Sequence, residues 1–175
     1  MKLAIDIGHN CPPDTGAIGI KHECKLTKEL GLLLISELNK IPSIKAINVT
    51  PDKASTVRES LNLRVINANR IKADYYISLH FNAFNKRANG TEIFAISQDG
   101  KRLAKAILSD ICKLGYVNRG VKNGSHLHVL RNTKMPAILI EVCFIDSSLD
   151  MSIYKTREMV EAIIDGLITF FALDI

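Results

Sequence analysis

His9, Glu23, His80 and Glu141 are the side chains whose types and surroundings point to chemistry. His9 follows the apolar run Leu3–Ile7 and Gly8, and His80 follows the run at 73–79. Each imidazole therefore stands at the carboxyl end of a strand expected to be buried on both faces, where open α/β sheets place their ligands. Glu141 interrupts Ile138-Leu139-Ile140 and Val142, and a carboxylate in such surroundings is costly unless it is paired or used. Two imidazoles and a carboxylate are a good donor set for zinc, with a fourth position left for water, whose pKa bound zinc lowers to about 7. A further carboxylate can take that water's proton and pass it to a leaving amine. The parts of a zinc hydrolase are present. Periodicity alone cannot join residues 9, 23 and 80, and His22-Glu23 lacks the following x-x-His of a metalloprotease helix.

The elements that must position these groups alternate along the chain. A loop at 10–24, with two prolines and two glycines, follows the first strand and is long enough to be functional. A helix is predicted over 26–39, with Leu26, Leu30, Leu33, Leu34 and Leu38 on its apolar face and Pro42 beyond its end. A strand follows at 44–50, a helix at 61–71, a strand at 73–79 ending in His80, and a strand at 90–96. A helix at 99–114, a polar loop at 115–125 and a short strand at 126–130 come next. A strand opened by Pro136 carries Glu141, and an amphipathic helix at 152–173 closes the chain. Strands alternating with helices predict an α/β fold. The expected architecture is a three-layer, mostly parallel sheet of about six strands flanked by helices. Residues 1–175 read as one domain, without repeat, low-complexity run or linker.

Bulk properties narrow the function. The chain has 175 residues, 47% of them hydrophobic and 23% charged, which suffices for a packed core. Aromatics are 6% and Trp is absent, which argues against a stacking surface for single-stranded nucleic acid. A net charge of +5 suits an acidic partner such as nucleic acid, an anionic membrane or an anionic wall polymer, and singles out none of them. The apolar start is too short for a signal-peptide core, and no run approaches the ~20 residues of a membrane span. The expectation is synthesis in the cytoplasm without a signal peptide. The four cysteines show no C-x-x-C spacing and are expected to be reduced.

Taken together, the motifs resemble the zinc-dependent N-acetylmuramoyl-L-alanine amidases of the type-3 amidase family. Asp6-Ile7-Gly8-His9 is similar to that family's Asp-Pro-Gly-His opening, and Gly16-Ala17-Ile18-Gly19 with Glu23 to its Gly-Ala-x-Gly and Glu segment. Leu63-Arg64 and Ala68-Asn69 resemble the helix before the next motif, Ser78-Leu79-His80-Phe81-Asn82-Ala83. Arg119-Gly120 through Val129-Leu130-Arg131, and Pro136-Ala137 through Glu141 and Phe144, complete the order. Ile7 replaces the family's Pro and Cys143 its Gly. The resemblance implies that His9, Glu23 and His80 bind zinc and that Glu141 is the catalytic carboxylate. It implies hydrolysis of the amide between N-acetylmuramic acid and L-alanine of the peptidoglycan stem, after release of the protein to the cell wall. A phage endolysin or a bacterial autolysin fits, either as a catalytic domain cut from a longer protein or acting alone.

Other readings accompany this one. Without the resemblance, Glu23 is a helix N-terminal carboxylate favoured by the macrodipole. His22 reads as solvated. His126 and His128, two apart, would share a strand face and form a rival metal pair or a substrate rim. Glu92 is expected to support the site from a neighbouring strand. Cys11 and Cys24 flank ligands but lack the paired base of a catalytic thiol. Asn82, Arg119 and Arg131 are candidate substrate-binding residues; Arg119, Lys122 and Arg131 fit contact with an anionic stem and solvated surface equally well. A zinc carboxypeptidase of similar fold and a non-catalytic wall-binding module are the functional alternatives. A monomer is the expected state.

Overall fold

The computed structural model describes residues 1–173. Its elements are β1 (Lys2–Ile7), α1 (Glu23–Leu38), β2 (Lys45–Asn48), α2 (Val57–Arg70), β3 (Tyr75–Asn82) and β4 (Thr91–Ala95). They continue with α3 (Gln98–Cys112), β5 (Asn118–Asn123), α4 (His128–Asn132), β6 (Ala137–Phe144), α5 (Ser148–Ile153) and α6 (Thr156–Phe171). One six-stranded sheet runs in the order β2-β1-β3-β6-β4-β5. β2, β1, β3 and β6 are mutually parallel; β4 pairs antiparallel with β6 and parallel with β5. The predicted α/β, mostly parallel sheet of six strands is what forms.

Side chains alternate across the sheet, and the two faces have separate cores. Leu3, Ile5, Ile77, Leu79, Ile93, Ile138 and Ile140 point to one face, where Leu30 and Leu34 of α1, Leu103 and Ile107 of α3, and Ile163 and Leu167 of α6 cover them. Ala4, Tyr76 and Leu139 point to the other, beneath Val65 and Ala68 of α2 and Val129 and Leu130 of α4. Full burial of each such aliphatic side chain contributes roughly 1.5–3 kcal/mol. The same alternation puts Asp6, Ser78, His80, Glu92 and Glu141 on the α2 and α4 face, since each lies an even number of residues from a member of that core on its own strand or out of step with the opposite one.

Four local expectations are corrected. The 115–125 region contains edge strand β5, whose polar sequence Asn-Arg-Gly-Val-Lys-Asn is half exposed because it pairs on one side only. The predicted strand at 126–130 is instead a turn followed by the five-residue helix α4, so His126 and His128 share no strand face. The closing helix starts earlier and is broken at Tyr154–Lys155 into α5 and α6. His80 lies within β3, which runs on to Asn82.

Candidate metal centre and the groups around it

A turn after β1 delivers His9, and strand β3 delivers His80. Gly8 ends β1, and a Cβ on it would meet Leu79 O at 2.3 Å and His80 Nε2 at 2.6 Å, so only glycine lets His80 stand this close to the end of β1. His9 and Asn10 then take left-handed backbone, with φ of 60° and 56°, a conformation that costs of order 1–3 kcal/mol and needs support. The support is Arg64. Its buried guanidinium donates to the carbonyls of Ile7 (2.9 Å) and His9, and to Asp6. Asn10 Nδ2 ties back to Gly8 O and Thr27 Oγ1, both at 2.9 Å.

Glu23, the first residue of α1, is buried and lies between the imidazoles. Its Oε1 is 3.0 Å from His9 Nε2 and 3.1 Å from His80 Nδ1. Backbone N–H groups of Phe81 (3.0 Å, to Oε1) and Ala17 (2.9 Å, to Oε2) fix the carboxylate. The imidazole rings meet edge to face at 4.7 Å. One donor atom from each of His9, Glu23 and His80 lies within 4.8 Å of the others. Donors held about 2.0–2.2 Å from a tetrahedral zinc stand roughly 3.3–3.6 Å apart, so the cluster fits such an ion. Gly16, at φ 73°, leaves the room: a Cβ there would press on the His9 ring at 2.6 Å and on Glu23 at 2.9 Å.

The electrostatics follow from the packing. Burial acts to lower the His9 pKa, but hydrogen bonds from the ring to Asp14 and Glu23 outweigh it and raise it to about 9. Burial would raise the Glu23 carboxyl, yet the two imidazoles hold it well below the usual carboxylate range. Asp14 Oδ1 is 2.5 Å from His9 Nδ1, the arrangement by which a carboxylate orients a ligating imidazole and leaves Nε2 for the metal.

Glu141 stands in the same cross-strand row. It pairs with His80 of β3 on one side and with Glu92 of β4 on the other. Its Oε2 is buried with no hydrogen-bond partner. Burial pushes its carboxyl up to about 7; His80 opposes the rise, while Glu23 and Glu92 add to it. A carboxyl with that proton affinity and an unengaged oxygen is suited to accept and return a proton near neutral pH.

The remaining sequence candidates separate. Asn82 and Arg119 converge on Glu92: Asn82 Nδ2 donates to Oε1 at 3.1 Å and Arg119 Nε to Oε2 at 3.2 Å. The Arg119 guanidinium also lies over the Phe144 ring, 4.9 Å from its centroid. Arg131 is exposed at the end of α4 and borders a different cavity, with Ser97, Ser125 and Pro136. His126 and His128 border a cavity of about 370 Å³ with His9 and His80 but do not join the donor cluster. His126 packs edge to face on Phe94 and His128 lies near Asn132. His22 is exposed, and all four cysteines are free thiols.

Sequence reasoning missed the layer beneath His9. Asp6 is fully enclosed by Arg64, Tyr76 (2.6 Å) and Ser78 (2.7 Å). Ser60 and Arg64 both reach Asp14 Oδ2, at 3.4 and 3.5 Å. A buried Arg needs a buried acid, but nothing local says that Arg64 of α2 meets Asp6 of β1.

Among the described residues no helix is long and apolar enough to cross a membrane. Residues 3–170 match the family model Amidase_3, described as N-acetylmuramoyl-L-alanine amidase. An uncharacterized Clostridium perfringens protein, CPE1502, is 37% identical over 163 residues, 90% of this chain and 48% of the relative. The N-acetylmuramoyl-L-alanine amidase LytC of Bacillus subtilis is 32% identical over 97% of this chain and 35% of its own length. The chain thus spans about half of the one relative and a third of the other. Among solved structures, the catalytic domain of the CD27L endolysin targeting Clostridia difficile superposes with a TM-score of 0.88 at 26% identity, covering 97% of both chains. With a family model matched along nearly its whole length and the same fold in a solved endolysin catalytic domain, the chain belongs to the N-acetylmuramoyl-L-alanine amidase family.

Proposed function

We propose that residues 1–175 form a catalytic unit that hydrolyses the amide between the lactyl group of N-acetylmuramic acid and L-alanine of the peptidoglycan stem. The observation that carries this reading is the juxtaposition of the His9–Glu23–His80 donor cluster with Glu141, one strand away. His9, Glu23 and His80 would hold zinc, which when bound supplies a Lewis acid for the carbonyl and acidifies water. Asp14 keeps the His9 ring in place, and the two backbone N–H groups on Glu23 keep its carboxylate from turning away. Glu141 accepts the proton of the attacking water and delivers it to the nitrogen of the departing alanine. The C–N bond breaks, leaving muramic acid with a free carboxylate and the peptide with a free amine. The net charge of +5 favours approach to anionic wall polymers. The protein acts on the wall as a monomer, in the manner of a lysin or autolysin.

The test is incubation of the zinc-loaded protein with sacculi. The reading requires new amino-terminal alanine with the glycan intact, loss of turnover in Glu141→Ala, and zinc still bound in that variant. Release of carboxyl-terminal residues in place of amino-terminal alanine would identify a carboxypeptidase. No new amino groups and no zinc would leave a wall-binding module. Full activity of Glu141→Ala would remove Glu141 from the reaction.

A further inference from the structure

Arg119 and Arg131 are both candidates for contact with an anion, but the fold treats them differently. Arg119 is held by Glu92. Arg131 has no acidic partner among the described residues, and neither has Lys134, three residues on. Both border a cavity of about 520 Å³ between α4, the chain leading into β6 and the residues that follow β4. No Asp or Glu among the described residues lines it. Asp99, two residues beyond Ser97 on its rim, is taken up by Arg102 at 2.7 Å. Ser97 Oγ accepts from the Gly100 N–H at 3.1 Å, which leaves its own hydrogen to donate, and Ser125 brings a second hydroxyl. The walls are fixed. Lys134 N donates to Asn69 Oδ1 at 3.0 Å, Thr133 Oγ1 to Val129 O at 2.8 Å and Gly124 N to Ala95 O at 3.1 Å. An ordered lining lowers the entropy cost of binding on it.

Two unpaired cations and two hydroxyls with no carboxylate among them form a lining for an anion. The planar guanidinium fork of Arg matches two oxygens of a phosphate, and Lys adds a point charge. A tetrahedral phosphate can meet the fork, the ammonium and a hydroxyl from different sides, which a planar carboxylate cannot. Leu130, Met135 and Pro136 supply an apolar wall for the carbon chain that joins one phosphate to the next. We infer that this cavity binds a phosphodiester of a polyol-phosphate chain, in an anionic wall polymer, at a site apart from the metal centre. The choice of a wall polymer rests on the amidase reading; the phosphate site does not. Ala137, at the cavity, precedes Glu141 by four residues on β6, about 13 Å at ~3.3 Å per residue. Helix α4 stands between the two places. His128 and Val129 border the cavity beside His9 and His80, whereas Leu130 and Arg131 border this one. A polymer gripped here keeps the metal centre against the wall between turnovers.

The experiment titrates poly(glycerol phosphate) into the zinc-loaded protein and measures affinity by calorimetry. Three proteins are compared: the wild type, Arg131→Gln combined with Lys134→Gln, and Lys45→Gln combined with Lys53→Gln, which removes the same charge elsewhere. All four side chains are exposed, so the three proteins should melt alike. The first variant should lose at least about tenfold in affinity, the scale of one charge-assisted hydrogen bond, and the second far less. In the wild type the amide resonances of residues 131–134 should shift, and poly-γ-glutamate of equal charge should bind more weakly than the phosphate polymer. Equal losses in the two variants, equal affinity for poly-γ-glutamate, or shifts confined to another surface would reduce the binding to net charge and overturn the site. A DNA oligonucleotide bound as tightly as the polymer, or inorganic phosphate bound more tightly than the polymer's phosphates, would give the cavity another occupant and overturn the assignment. None of these results touches the amidase reading, which stands or falls on release of alanine amine from sacculi.

Discussion

Glu92 of β4 and Glu141 of β6 sit directly opposite each other across an antiparallel pair. Like charges so placed repel, and the sheet answers by giving Glu92, not Glu141, the partners: Asn82 and Arg119 hold the former, while Oε2 of the latter stays unengaged. Both oxygens of Glu92 are thereby engaged, and Glu141 keeps an oxygen free to take up a proton. Arg119→Ala exposes Glu141 to an uncompensated neighbour. The acidic limb of its pH–rate profile should then move to higher pH, because a raised Glu141 pKa delays formation of the base. Adding Glu92→Gln should move the limb back. A double-mutant cycle on kcat/KM gives the coupling directly; strictly additive effects would show that Arg119 does not act through Glu92.

Asp14 touches the proposed metal only through His9. Asp14→Asn keeps the shape and removes the charge that orients the ring. Zinc affinity, measured by competition with a chromophoric chelator, should fall about 10–100-fold, the usual effect of losing such a partner. The melting temperature of the metal-free protein should change far less than it does in Arg64→Met, which strands Asp6 and by loss of a buried ion pair costs about 3–5 kcal/mol. Unchanged zinc affinity in Asp14→Asn would separate Asp14 from the metal centre.

The sheet was legible where strands are buried on both faces, because β1, β3 and β6 are near-continuous apolar runs that only such burial explains. It was not legible at β5, an edge strand with two half-buried residues, nor at the turn leading into α4, where the alternation of His126 and His128 mimics a strand over a stretch too short to show helical period. Glu141 declared itself by its cost among apolar neighbours. Glu23 did not, since a carboxylate opening a helix is ordinary, and only the motif order singled it out. Asn82 and Arg119 have the right types for substrate contact, but their partner, Glu92, is set by strand order, which the sequence does not display. Asp14 and Arg64 belong to a network whose members lie 50 residues apart in the chain.

Chelation should stop turnover without unfolding the protein. Two backbone donors hold Glu23 independently of any cation, and Arg64 grips the His9 turn through the backbone carbonyls of Ile7 and His9. Activity should return on adding zinc, and circular dichroism should hold through the cycle. The unfolding free energy should fall only by the linkage contribution, about 2.7 kcal/mol at a free zinc concentration 100 times Kd. Global unfolding on chelation would mean that the imidazoles and Glu23 cannot coexist without the ion.

Acid should weaken the fold through Asp6. Burial alone would raise its carboxyl, but Arg64, Tyr76 and Ser78 together hold it below the ordinary value of 3.8. A carboxylate whose folded pKa is depressed contributes stability that is fully present above its unfolded pKa, and that stability drains away as pH falls toward the folded value. The wild type should therefore lose stability from about pH 4 downward, whereas Asp6→Asn, already deprived of the charge, should start less stable and fall less steeply over the same window. Urea melts of both proteins in metal-free buffer between pH 6 and 3 measure the gap. It should be largest at pH 6 and narrow toward pH 3. A gap that stays constant would show that Asp6 contributes by shape and hydrogen bonding alone, with its ionisation irrelevant to folding.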